Sequence, residues 1–267
     1  MLLLEPHLAR LEISCSLTQI PLPFPIQVIR QKIIDVAAFC CATFTNNFDI
    51  RYWVSAGGNN FGILPDLKNN KSTFFIAAFE TSIKKSINLI DEVSIDNIAA
   101  KTGILATAKT TNYLINSLYA IEAVKRGGNL GVMIDRDGNI LEGPIANIAF
   151  VFKNGDFVIP KLTKTLRGTT LIECLQFIEK KLIREGKIKR ILEKDLKPED
   201  VYENATEMMR IGGNKVSSIR RFDGRLISEE AGPITKELFH HLTVDLVEAS
   251  EKVPLNLYPN ITCKPKL

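Results

Sequence analysis

Long apolar runs are absent from this 267-residue chain: no stretch approaches the roughly 20 residues that a membrane-spanning helix needs. The opening Met1-Leu-Leu-Leu4 is apolar but lacks a basic flank and runs straight into Glu5 and Pro6, so it fails as a signal peptide and reads instead as the end of a strand. Cysteine is sparse and odd in number; Cys15, Cys40, Cys41, Cys174 and Cys263 show neither metal-ligand nor C-x-x-C spacing, and read as reduced thiols of an intracellular protein. Histidine is scarcer still. His7, His240 and His241 have no ligand-like or triad-like companions, which argues against a metal site and against a Ser/His/Asp hydrolase. There is also no strong charge of one sign. The 34 Lys+Arg against 30 Asp+Glu leave a net +4 and are scattered, which disfavours a nucleic-acid surface and suits small anionic ligands. No internal repeat or low-complexity tract interrupts the chain.

What is present is a foldable mixture. The 45% hydrophobic content supports a sizeable core. Leu8, Leu11 and Cys15 share a helical stripe that starts near Pro6, and Val28, Ile29, Ile33, Val36 and Ala37 mark a second helix ending near Phe44. Residues 49–56 and 72–80 read as strands around a loop at 60–71. The charge and turn content of 87–102 suggests a connection between lobes, with a boundary near residue 100. Leu114, Leu118 and Ile121 then mark a helix stopped by Gly127-Gly128. Short segments at 130–134, 139–142, 147–152 and 157–160, separated by Gly turns, suggest an antiparallel meander. A helix from Gly168 to about Arg184, strands near 207–211 and 216–222, and a last helix from about Pro233 to Val247 complete an α+β reading.

The residues offer one chemical feature on their own terms. Lys109, in Ala108-Lys-Thr-Thr-Asn-Tyr113, stands before an apolar helix, with a lone acid, Glu142, in the strands that follow. A lysine makes a useful Schiff base when burial or nearby cations leave its amine partly neutral, and a carboxylate near a pyridine nitrogen keeps that nitrogen protonated. A solvated lysine and a turn glutamate are the competing readings. Gly168-Thr169-Thr170 is either a phosphate cradle at a helix start or an ordinary threonine cap.

Three ordered blocks bear on that choice: AKTTNYL at Lys109, ILEGPIANIAFVFKNGDFVIPK at Glu142, and LRGTT at Gly168, preceded by the strand Arg51-Tyr-Trp-Val-Ser-Ala-Gly57. Together they resemble class IV pyridoxal 5'-phosphate (PLP) aminotransferases from about Leu4 to Val247, with the nearest likeness to the plant D-amino acid aminotransferase-like group. The resemblance implies the fold type IV PLP architecture: a truncated small α/β domain over 1–100, a large cofactor-binding domain over 101–250 and a C-terminal tail over 251–267. It implies a homodimer and PLP-dependent transamination of a D- or branched-chain amino acid with a 2-oxo acid acceptor. Lys109 would form the Schiff base and shuttle the Cα proton, and Glu142 would partner the pyridinium nitrogen. Arg10, otherwise a surface helix arginine, would pair with the phosphate that Gly168, Thr169, Thr170, Gly212 and Gly213 cradle. Leu166 would pack on the ring, with Tyr113 and Asn147 shaping the site.

The chain also departs from the family pattern. Ile211-Gly212-Gly213-Asn214 lacks the usual Ser or Thr hydroxyl, which implies weaker cofactor binding than in a Gly213→Ser variant. Leu171 replaces a common arginine, and Lys215 and Ser217-Ser218 stand where apolar residues and prolines are usual, so substrate preference is left open. Only four residues precede Glu5, where the family has several strands. The expectation is a fragment, a truncated gene model or a degenerate relative, with an exposed sheet edge and poor solubility or reliance on a partner chain. Two rival activities stay open: 4-amino-4-deoxychorismate lyase chemistry on the same lysine, and PLP binding without turnover. The compartment is read as cytoplasm or plastid.

Overall fold

A computed structural model describes residues 1–44, 47–57, 71–81 and 86–252 and divides the chain into two units. One comprises Leu3–Lys85 with Ser250–Leu267, the other Ser86–Ala249. Most of the expected loop at 60–71 and all but the first two residues of the expected tail lie outside the described residues.

The first unit contains α1 (Leu4–Leu17), α2 (Ile26–Thr43), β1 (Asn47–Ser55) and β2 (Thr73–Thr81). Leu4 opens α1 instead of ending a strand. The reason is local: Glu5 complements the helix dipole, and Pro6 in the first turn gives up an N–H that would have had no partner. The antiparallel β1–β2 pair runs from Asn47 opposite Thr81 to Ser55 opposite Thr73. Period-two alternation turns Ile50, Tyr52, Phe74 and Ile76 toward Leu4, Leu8, Ile29, Ile33 and Ile34 of the helices. On the other face Trp53 stacks on Phe75, with ring centroids 5.5 Å apart.

The second unit runs β3 (Asn88–Glu92), β4 (Ser94–Ile95), α3 (Ile104–Thr107), α4 (Leu114–Lys125), β5 (Val132–Met133), β6 (Asn147–Phe152), β7 (Asp156–Ile159), α5 (Thr169–Phe177), β8 (Arg190–Glu193), α6 (Pro198–Asn204), β9 (Ala205–Gly212), β10 (Lys215–Phe222), β11 (Arg225–Leu226), α7 (Pro233–His240) and α8 (Leu246–Glu248). A seven-stranded sheet is ordered β11-β10-β9-β6-β7-β8, with β3 added parallel to β10. All six residues of β6 are buried because both faces of the sheet are covered. Ala149 and Val151 enter one core with Leu171, Cys174 and Leu238, while Ile148, Phe150 and Phe152 enter another with Val201, Met208 and Phe222. Each such large side chain contributes about 1.5–3 kcal/mol by leaving water.

Several expectations change here. The segment read as a connection at 87–102 contributes β3 and β4, paired parallel with β10 and β5, so the division falls at Lys85/Ser86 and not near residue 100. Residues 139–142 make a bridge, Ile134 to Ile140, instead of a strand. The meander is confined to the β6–β7 hairpin, since β7 turns its other edge to β8 in parallel. The helix expected from Gly168 to Arg184 is α for nine residues and then widens into a π turn at Ile178–Leu182. The last helix likewise passes through a π turn at His241–Asp245. The apolar stripe that marked α4 points outward: Leu114, Leu118 and Ile121 are 69%, 43% and 53% exposed, whereas Tyr119 and Ala123 are fully buried.

Candidate active site

Glu142 sits in a short irregular segment that three contacts fix. Its carbonyl accepts Met133 N–H at 2.9 Å, and Gly143 N–H reaches the Ala146 carbonyl at 2.8 Å. The Pro144 carbonyl accepts the side-chain amide of buried Asn116 on α4. The Glu142 side chain is buried, at 8% exposure, with Lys101 Nζ 3.6 Å from Oε1. Oε2 accepts the Leu166 N–H at 3.1 Å and faces Asn147 Nδ2 at 3.5 Å. Both oxygens are therefore engaged. Burial pushes the Glu142 carboxyl up to about 7, against the opposing charge of Lys101, the Leu166 N–H and the charge of Lys109.

Asn147, the first residue of β6, links this carboxylate to the start of α5. Its Nδ2 donates to the Leu166 carbonyl at 2.8 Å, so both polar groups of the Leu166 peptide are held. Gly168 then caps α5: its carbonyl accepts Ile172 N–H at 2.9 Å, and no side-chain cap covers the helix start. A Cβ at Gly168 would collide with Asn147 Oδ1, which explains glycine there although its φ of −65° suits any residue. Thr169 and Thr170 are buried. Thr170 Oγ1 accepts the Asn214 N–H at 3.0 Å, tying the α5 start to the turn between β9 and β10. In that turn Gly213 (φ 60°) and Asn214 (φ 56°) are left-handed. A Cβ at Gly212 would lie 2.9 Å from Ala146 Cβ, whereas one at Gly213 would meet nothing within 4 Å. Ser217 and Ser218 follow as buried residues of β10.

Lys109 lies in the exposed link between α3 and α4. Its Nζ donates to Tyr113 Oη and stands 4.9 Å from the tyrosine ring centroid. Of the residues singled out in the sequence, Glu142, Asn147, Leu166, Gly168, Thr169, Thr170, Gly212 and Gly213 form one connected stretch of the second unit, and Lys109 reaches it through its charge on Glu142. Arg10 belongs to the first unit, where its Nη2 is 3.2 Å from His7 Nδ1 and its charge opposes the burial that raises the Tyr52 phenol to about 12. Lys101 escaped the sequence reading. It follows Ile98-Ala-Ala and precedes Thr102-Gly103, a context with no local mark of a buried partner.

The family model described as amino-transferase class IV matches residues 1–219. The chain belongs to the class IV aminotransferase family. Among curated relatives of this aminotransferase-family chain, an Arabidopsis thaliana protein named D-amino-acid transaminase, chloroplastic, is 34% identical over 247 residues, covering 91% of the chain and 64% of the relative. The chain thus spans just under two thirds of that relative's length. A putative branched-chain-amino-acid aminotransferase of Methanocaldococcus jannaschii is 28% identical over 243 residues, 88% of the chain and 79% of the relative. Among solved structures, the branched-chain aminotransferase of Thermoproteus uzoniensis with norvaline superposes with a TM-score of 0.80 at 21% identity, covering 94% of this chain and 82% of that one. That likeness shows that the α+β architecture of the chain is the fold of the family's branched-chain aminotransferases.

Proposed function

We propose that the chain binds PLP and transfers the amino group of a D- or branched-chain amino acid to a 2-oxo acid, with Lys109 as the lysine that joins the cofactor. The observation that carries this reading is the single network from Glu142 through Asn147 and Leu166 to the α5 start and the Gly212-Gly213 turn. Its donor set fits the cofactor: a buried carboxylate for a protonated ring nitrogen, a lysine amine for an aldehyde, and an uncapped helix start for a phosphate dianion.

When bound, PLP supplies an electron-withdrawing ring that accepts the pair left at the amino-acid Cα. Glu142 would hold a proton on the ring nitrogen, and the Leu166 N–H and Asn147 amide keep that carboxylate from rotating. Thr169, Thr170, Gly212 and Gly213 would hold the phosphate, and the open side of Gly213 lets an anion approach the backbone. Leu166, held at both polar groups of its peptide, would pack on the ring. Lys109 Nζ would be the group that takes and returns the Cα proton, and Tyr113 Oη, which accepts from Lys109 Nζ, would orient that lysine amine. A homodimer is supported by the outward apolar face of α4, where Leu114, Leu118 and Ile121 are exposed. Of the two compartments left open, the chloroplastic name of the Arabidopsis relative favours the plastid.

The test is the visible spectrum of purified protein with PLP, before and after borohydride. A band that borohydride fixes covalently in wild type and not in Lys109→Ala supports the reading. Folded wild type with no band refutes it.

A further inference from the structure

We propose that Lys101 is a positioning residue for Glu142: its ammonium favours the charged form of the buried carboxylate against the effect of burial and anchors Oε1, so that the pair acts as one unit beneath a protonated aromatic nitrogen. The second clause rests on the PLP reading above; the first stands on the chain alone. Lys101 precedes α3, whereas Glu142 lies between β5 and β6, so only the tertiary fold brings them to 3.6 Å. The Lys101 side chain is itself only 15% exposed, an unusual position for a lysine without a buried partner. The two oxygens of Glu142 have different tasks: Oε2 takes the Leu166 N–H at 3.1 Å and the Asn147 amide at 3.5 Å, and Lys101 stands on Oε1. The neutral donors orient the group without supplying a countercharge. Two cations act on Glu142, Lys101 first and Lys109 more weakly. Lys109 would change its charge as its amine joins a cofactor aldehyde and takes up and returns a proton, so Lys101 is the fixed countercharge. A carboxylate buried without one would keep its proton to above neutral pH and would offer a ring nitrogen no negative charge there.

The experiment follows the Glu142 side-chain carboxyl by ¹³C NMR across pH in the cofactor-free full chain, with Glu142→Gln assigning the signal. In wild type the midpoint is expected near 7. Lys101→Met should raise it by about 1–2 pH units, the effect of losing a close opposite charge, and Lys101→Arg should restore it. If Lys101→Met does not fold, Lys101→Gln keeps a polar side chain without the charge and is expected to show the same rise. An unchanged midpoint in the folded uncharged variant overturns the assignment, whatever the protein does with PLP. The same samples are then mixed with PLP. A wild type that forms no visible band refutes the cofactor reading while a shifted midpoint still upholds the Lys101–Glu142 pairing, so the two failures are separable.

Discussion

Gly168→Ala tests whether the start of α5 and the Glu142 carboxylate are one mechanical unit. At φ −65° and ψ 130°, alanine is free of backbone strain, and replacing glycine would by itself stabilise the fold by about 0.4–1 kcal/mol through the unfolded chain. The new Cβ, however, would occupy the place of Asn147 Oδ1. Asn147 is 5% exposed and cannot swing aside without breaking its 2.8 Å bond to the Leu166 carbonyl. Losing that bond and leaving a buried group unpaired costs about 1–3 kcal/mol, so the net expectation is destabilisation by about 1–2 kcal/mol. In an Asn147→Ala background the obstacle and the bond are both gone. There Gly168→Ala should be neutral or stabilising, a coupling of about 2 kcal/mol between neighbours. Urea unfolding of the four proteins, followed by circular dichroism with midpoints and slopes compared, measures it. An equal cost of Gly168→Ala in both backgrounds would refute the reasoning.

The remaining predictions concern charge and backbone. Glu142 has its folded-state value raised from 4.5 to about 7, so the protonated form is favoured by folding; its contribution is fully present below pH 4.5 and is lost as pH rises through 7. Between those limits wild type should lose about 3 kcal/mol more stability than Glu142→Gln, and parallel stability–pH curves for the two proteins would sink the idea. Gly213→Ser restores a hydroxyl to the second phosphate turn but places a side chain at φ 60°, a strain of about 1–2 kcal/mol. Tighter PLP binding with a lowered melting temperature is expected, and an unchanged PLP dissociation constant would refute the role given to the missing hydroxyl.

How much of this was legible depended on whether the signal was local. The start of α5 could be read from Gly168-Thr-Thr, and β6 from Asn147–Phe152, because turn chemistry and a short apolar run are properties of consecutive residues. The same locality misled at α4. Helical spacing of Leu114, Leu118 and Ile121 identifies a helix but not which side meets the core, and here Tyr119 and Ala123 take that side. β3 reads as a connection because Asn88-Leu-Ile-Asp-Glu92 has too weak an alternation to stand alone; it is a strand because β10 offers it an edge. Glu92 makes the point sharply. At the end of a weakly alternating segment it looks like a solvated acid, yet it is buried, gathers the N–H groups of Asn129, Leu130 and Gly131, and meets Arg210 at 2.8 Å. Lys101 is the same case at the candidate site. Family motifs run along the sequence and so bring Glu142 and Lys109 into view, whereas a countercharge is chosen by distance in three dimensions, and any lysine able to approach that buried carboxylate would satisfy the same electrostatic demand.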